Sequence, residues 1–195
     1  SLWLHDTKTI PKRKSYFLNR HKMPILANIE EGSLQVVLFW HYRWDRGNHM
    51  TASGTEARHP ASAGLHARPG GEVLRVLLEA QVAALAALQP ALPALERAAE
   101  AAAGALRRGG KLGYAGAGSS GLMALADCLE LAGTFGIAPE RTPMMFAGGT
   151  EALLHLQGSV EDDPRLALAD LDRSGLAAGD VLLCLSASGR TPYAL

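Results

Sequence analysis

The chain has 195 residues, 48% of them hydrophobic, with 19 acidic and 19 Lys or Arg side chains. That length holds one domain with a substantial core, and the neutral balance argues against a broadly basic nucleic-acid binder. The two cysteines, Cys128 and Cys184, lie in apolar contexts and read as core thiols of a reducing compartment, not as a disulfide framework.

In chain order, residues 1–49 stand apart in composition. They contain all three tryptophans (Trp3, Trp40, Trp44), a single alanine (Ala27) and eight Lys or Arg against four acidic residues. The rest is alanine-rich, so 1–49 reads as an extension foreign to the domain, and its removal is expected to cost little stability. Within it, Leu34–Trp40 (LQVVLFW) has the look of a strand. Residues 50–71 are rich in Gly, Pro, Ser and Thr and read as an irregular arm. Residues 72–195 form the domain proper.

That domain opens with two helices. Glu72–Gln89 carries apolar residues at helical spacing, has an acidic first turn and stops at Pro90. Leu92–Arg108 follows and stops at Gly109-Gly110. Their Ala/Leu faces suit packing on each other, on a sheet or on a second subunit. Val73–Leu88 is the longest apolar stretch, but Arg75, Glu79 and Gln81 make it a poor membrane span. No segment has the pattern of a secretory leader.

The pattern then changes. Lys111–Ala115 predicts a strand, Leu122–Leu131 a helix and Pro143–Ala147 a second strand. Thr150 is placed to cap a helix over Glu151–Gln157, and Pro164–Leu171 predicts another helix. Asp180–Leu185 (DVLLCL) is a continuous apolar run, as expected of a strand buried on both faces. Alternating strands and helices predict an α/β fold with a doubly wound parallel sheet. Three strands are expected, with an N-terminal helical pair and truncation of the sheet after the third strand. A three-strand sheet with an exposed edge and apolar faces is expected to be prone to association.

Two loops carry chemistry. Residues 116–121 (GAGSSG) follow the first strand, and residues 186–191 (SASGRT) follow the third. Both join glycine to hydroxyl side chains and both open a helix. Glycine lets backbone N–H groups approach an anion, and a helix N-terminus adds partial positive charge. Gly118, Ser119, Ser120, Ser186, Ser188, Gly189, Arg190 and Thr191 are therefore the candidate phosphate contacts. Capping of the following helices is the alternative role for Ser119, Ser120, Ser188 and Thr191.

Gly116, Gly118 and Gly121 also fit G-x-G-x-x-G. A dinucleotide site needs an acidic residue at the end of the second strand, however, and that strand ends in Ala147-Gly148-Gly149. A small phosphorylated ligand is the better match.

By these loops the chain resembles the sugar isomerase (SIS) domain. It is most similar to the N-acetylmuramic acid 6-phosphate etherase branch, related to the glucokinase regulatory protein. Four stretches carry the likeness: TEARHPASAGL (55–65), YAGAGSSG (114–121), AGGTEALLHLQGSVEDD (147–163) and SASGRTPY (186–193). There are departures. Leu122-Met123-Ala124 stands where the family has Arg-Leu-Gly. Leu131-Ala132-Gly133 stands for Cys-Pro-Pro, and Leu65-His66 for Leu-Asp.

The resemblance implies a cytoplasmic homodimeric lyase that acts on a phosphorylated amino sugar. It implies no metal or other cofactor, no nucleic-acid partner and no membrane. It places Glu161 as the base at C2 and Glu130 as the acid at the departing lactate oxygen. His59 in the arm would reach a neighbouring subunit's site. Taken without the resemblance, Glu130 is a surface glutamate within an otherwise apolar segment, and Glu161-Asp162-Asp163 is a charge cluster at a helix start. Asp162 and Asp163 read as structural, and His155 as a packed helix residue. A non-catalytic phosphosugar-sensing module and a sugar-phosphate isomerase remain as alternatives.

Overall fold

The computed structural model describes residues 58–155 and 158–195, together with the backbone of 26–30 and 33–39. Five strands form one sheet in the order β1-β2-β5-β3-β4. They are β1 (Leu26–Glu30), β2 (Ser33–Phe39), β3 (Leu112–Gly116), β4 (Met144–Phe146) and β5 (Val181–Ser186). The helices are α1 (Gly70–Ala86), α2 (Leu92–Arg107), α3 (Gly118–Phe135), α4 (Gly149–His155) and α5 (Pro164–Ser174). Strands β3, β4 and β5 are mutually parallel, with β3 in the middle of the three. This is the doubly wound α/β arrangement expected from the alternation of elements.

Alternation along the strands divides the core into two layers. On one face Leu112, Tyr114 and Val181 pack with Ala98 and Ala105 of α2 and with Ala124 and Cys128 of α3. On the other, Ala115, Met145, Leu182 and Cys184 pack with Tyr193 and Ala194, flanked by Leu166, Ala167 and Leu171 of α5. Successive β5 residues therefore serve opposite layers, which is why the run reads as continuously apolar. Both cysteines are buried free thiols. Burial pushes the Cys128 thiol up, and that of Cys184 up to about 12.

Polar side chains fasten the entry to the sheet. Asp180 accepts the Lys111 amide at 2.7 Å and the Ala177 amide at 2.9 Å, tying the start of β5 to the start of β3. Arg141 closes the end of α2. Its Nε donates to the Gly110 carbonyl at 3.0 Å, and its terminal nitrogen donates to Gly110 at 2.7 Å and to the Leu106 carbonyl. The guanidinium thereby ties the loop after α2 to the helix's last turn, where the Leu106 carbonyl also accepts the Gly109 amide at 3.1 Å.

Several boundaries differ from the sequence reading. Helix α3 begins at Gly118 and runs to Phe135, past the expected end at Leu131, and Gly136 terminates it with φ +65°. Leu131 and Ala132 are good helix formers and Gly133 costs only about 1 kcal/mol, so the helix runs on until Gly136 adopts the left-handed conformation. Thr150 lies inside α4, not ahead of it. His155 is exposed at the end of α4 instead of packed. The segment after the second loop is a short 3-10 turn, Pro192–Ala194.

The strand expected over 34–40 is present as Ser33–Phe39, and Trp40 lies outside the described residues. It pairs with β5 along that strand's whole length, from Leu34 opposite Val181 to Phe39 opposite Ser186. Helix α1 has no buried residue, and Leu74, Leu78, Val82 and Leu85 are all more than half exposed. Of the packing options open to the helical pair, α2 takes the sheet, and no α1 residue joins either core cluster.

Candidate functional site

Both glycine-hydroxyl loops lie at the carboxyl ends of neighbouring parallel strands, β3 and β5. Open α/β sheets place their ligand crevice there. The first loop is fixed by close approach. A Cβ on Gly121 would stand 2.6 Å from Cε2 of Phe146 and 2.9 Å from the Gly116 carbonyl oxygen, so only hydrogen fits. Gly118 begins α3 with φ +52°. The residue at the N-cap position is Ala117, and no side chain caps the helix. Its first amides are thus left to a ligand or solvent, and Ser119 and Ser120 are not N-caps. Ser119 is exposed and Ser120 half-buried.

The second loop is held from within. Ser186 Oγ is buried, lies 2.9 Å from Thr191 Oγ1, and accepts the Gly189 amide at 3.1 Å. Ser188 Oγ lies 3.4 Å from Ser186 Oγ and accepts the Arg190 amide at 3.1 Å. These hydroxyls draw the loop into a tight ring around Gly189, whose φ is +63°. Arg190 is exposed at its rim. Thr191 makes no side-chain cap for the turn that follows.

Two residues whose role the sequence reading missed stabilise this loop. Tyr193 is buried beneath it and its phenol donates to Asp170 of α5, which also pairs with Arg173. Burial, followed by the Asp170 hydrogen bond, raises the phenol well above the ordinary tyrosine range. Tyr193 stood within the quoted motif, but a partner 23 positions away leaves no local signal. Tyr114 is similar: burial and its bond to Asp127 at 2.6 Å raise its phenol.

The two carboxylates are placed differently. Glu161 lies in a 3-10 turn, Gly158–Asp162, after α4. Val160 of that turn packs onto the inner cluster and against Gly148, where a Cβ would come within 3.1 Å of both its methyl groups. This anchoring carries Glu161 to the first loop: its Oε2 lies 3.9 Å from the position a Cβ on Gly118 would take. Asp163 caps α5 through the Arg165 amide at 2.9 Å, and its bonds to Arg165 lower its carboxyl further.

Glu130 instead stands mid-helix, exposed, and accepts the Thr134 hydroxyl. The 12 helical steps from Gly118 to Glu130 amount to roughly 18 Å of axis. Within one chain, Glu161 meets the first loop and Glu130 does not. His59 caps a short turn of the arm, accepting the Ala61 amide at 3.2 Å. Among the described residues no group of three or more His, Cys, Asp or Glu is arranged for a metal, and no helix is long and apolar enough to cross a membrane.

The parallel core, with a glycine-hydroxyl loop at the carboxyl end of each of two neighbouring strands, is of the doubly wound α/β class. A family model of the SIS domain matches residues 79–195, and the chain belongs to that family. Among curated relatives, it is 40% identical over 141 residues to the N-acetylmuramic acid 6-phosphate etherase of Aeromonas hydrophila subsp. hydrophila, covering 72% of this chain and 47% of that protein. It is 38% identical over 141 residues to the etherase of Photorhabdus laumondii subsp. laumondii, with the same coverage. It is 38% identical over 139 residues to that of Geobacillus thermodenitrificans, covering 71% of this chain and 47% of that protein. The chain spans about half the length of these relatives.

Proposed function

We propose that the chain acts as a lyase on N-acetylmuramic acid 6-phosphate, releasing D-lactate and N-acetylglucosamine 6-phosphate. The carrying observation is the Glu161 carboxylate beside the uncapped N-terminus of α3. On this reading Gly118, Ser119 and Ser120 meet the substrate together with Ser186, Ser188, Gly189, Arg190 and Thr191. The phosphate is held by backbone amides and hydroxyls, with Arg190 attracting it.

The chemistry follows from the substrate. An ether oxygen leaves poorly, but in the open-chain sugar the C1 aldehyde makes the C2 proton acidic. Glu161 takes that proton, the electron pair forms the C2–C3 double bond, and the C3–O bond breaks. Glu130 protonates the departing lactate oxygen. Water then adds at C3, giving its proton to Glu130, while Glu161 returns a proton to C2. A base and an acid in alternating roles complete the cycle without any other reactant.

The position of Glu130 makes a second copy part of this reading. Glu130 shares α3 with Met123, Leu129 and Phe135, each about two-thirds exposed, and α1 presents its own uncovered leucines. A homodimer covering these faces supplies Glu130 to the partner's loops and gives His59 of the arm a place there. Residues 72–195 act as the phosphosugar domain, 50–71 as the arm and 1–49 as an extension, in a cytoplasmic protein.

Proton NMR of N-acetylmuramic acid 6-phosphate in D2O with the chain tests the proposal. Free lactate with deuterium at C2 is the expected result, abolished by Glu161→Gln. Lactate release that persists in Glu161→Gln overturns the assignment of the base. Phosphosugar binding without C2 exchange or lactate favours the sensing module. Conversion to a ketose phosphate without lactate favours the isomerase.

A further inference from the structure

We propose that Tyr193 and Asp170 are positioning residues that hold the second loop and the turn carrying Glu161 in one fixed relation. The inference rests on the proposed function, in which the loop binds the phosphate and Glu161 is the base at C2. Tyr193 stands just past the loop, in the Pro192–Ala194 turn. The Ala194 amide donates to the Thr191 carbonyl at 2.9 Å, and Thr191 Oγ1 lies 2.9 Å from the buried Ser186 Oγ. A displacement of Tyr193 is therefore felt within the loop.

The same turn borders the base. It lies against the Gly158–Asp162 turn, and Val160, next to Glu161 in the chain, packs on the cluster that holds Tyr193 and Ala194. Ala117, at the N-cap of α3, belongs to that cluster too. Apolar burial has little direction, so by itself it would let these parts slide. The phenol adds direction. Tyr193 is 3% exposed, and its hydroxyl donates to Asp170 of α5, whose side chain also pairs with Arg173. A phenylalanine would fill the same apolar space, so the hydroxyl contributes position beyond packing. Satisfied buried hydrogen bonds of this kind specify a single arrangement.

The test separates kcat from KM for lactate release from N-acetylmuramic acid 6-phosphate, and measures affinity for N-acetylglucosamine 6-phosphate. Tyr193→Phe and Asp170→Leu should lower kcat at least about tenfold and weaken phosphosugar binding about threefold, because small misplacements of a reacting group are costly. Asp170→Asn keeps an acceptor for the phenol and should stay within about twofold of the parent. Tyr114→Phe is the matched control, since it removes another buried phenol–carboxylate bond, to Asp127, in the opposite layer of the core. It should lose comparable thermal stability while kcat stays within about twofold of the parent. Hydrogen exchange reads the loop without turnover. The Gly189 amide, bonded to Ser186 Oγ, and the Ala194 amide should exchange about tenfold faster in Tyr193→Phe but not in Tyr114→Phe.

Unchanged kcat or unchanged exchange in Tyr193→Phe overturns the inference. So does an equal loss of kcat in Tyr114→Phe, which would trace the effect to stability, or in Asp170→Asn, which would trace it to charge. If Asp170→Leu fails to fold, Tyr193→Phe decides alone. A parent that binds the phosphosugar but releases no lactate overturns the proposed function instead. Faster Gly189 exchange and weaker binding in Tyr193→Phe then still support the hold on the loop, and their absence overturns that as well.

Discussion

Replacing Gly121 by alanine probes the junction that shapes the first loop. The new methyl would lie 2.6 Å and 2.9 Å from two Phe146 ring atoms and 2.9 Å from the Gly116 carbonyl oxygen. The ring can turn, but the carbonyl is held, because it accepts the Ala147 amide at 3.1 Å. Overpacking of this kind costs about 1–3 kcal/mol, and the backbone clash places it near the upper end. Alanine's better helix propensity offsets about 1 kcal/mol. A net loss of about 2 kcal/mol lowers the thermal midpoint of a chain this size by about 4–8 °C. Gly133 provides the control: it lies in the same helix with nothing within 4 Å of its added Cβ. Gly133→Ala should raise the midpoint by about 2–4 °C through propensity alone. Circular dichroism melts of both variants beside the parent measure this. If Gly121→Ala is as stable as Gly133→Ala, the strand–helix approach is not tight and the derivation of the loop's shape is wrong.

Arg141→Ala removes the side-chain donors to the Leu106 and Gly110 carbonyls; urea titration should show a loss of about 1–3 kcal/mol, and an unchanged midpoint would mean that solvent replaces the guanidinium. Alkaline pH should destabilise the fold, because Cys184 is shifted from the ordinary 9.0 to about 12 and the unfolded chain releases that proton first. Its contribution is full below pH 9 and falls as pH rises towards 12, so melts across that range should show a slope that Cys184→Ala reduces. If Glu130 and Glu161 meet across a dimer, an equal mixture of Glu130→Gln and Glu161→Gln chains should regain about a quarter of the parent's lactate release, since half the dimers are mixed and each has one intact site. No recovery after subunit exchange would place both carboxylates in one chain or remove Glu130 from the reaction.

The local code was legible where each element depends on its own residues. The apolar run from Val181, the glycines of both loops and the stop at Gly109-Gly110 announce a parallel sheet with tight glycine turns at its edge, since backbone conformation and two-faced burial act over a few positions. Gly136 was a legible stop too, and it marks the end of α3 better than the apolar periodicity that suggested Leu131. Only the tertiary structure decided what meets what. Val160 seated against Gly148 brings Glu161 to Gly118, while the unbroken helix leaves Glu130 some turns away. Tyr193 finds Asp170, and β2 finds the edge of β5. These contacts join residues far apart in the chain through surfaces and backbone groups that offer the same letters to any partner. Geometry selects among them, and no short stretch of sequence contains that geometry.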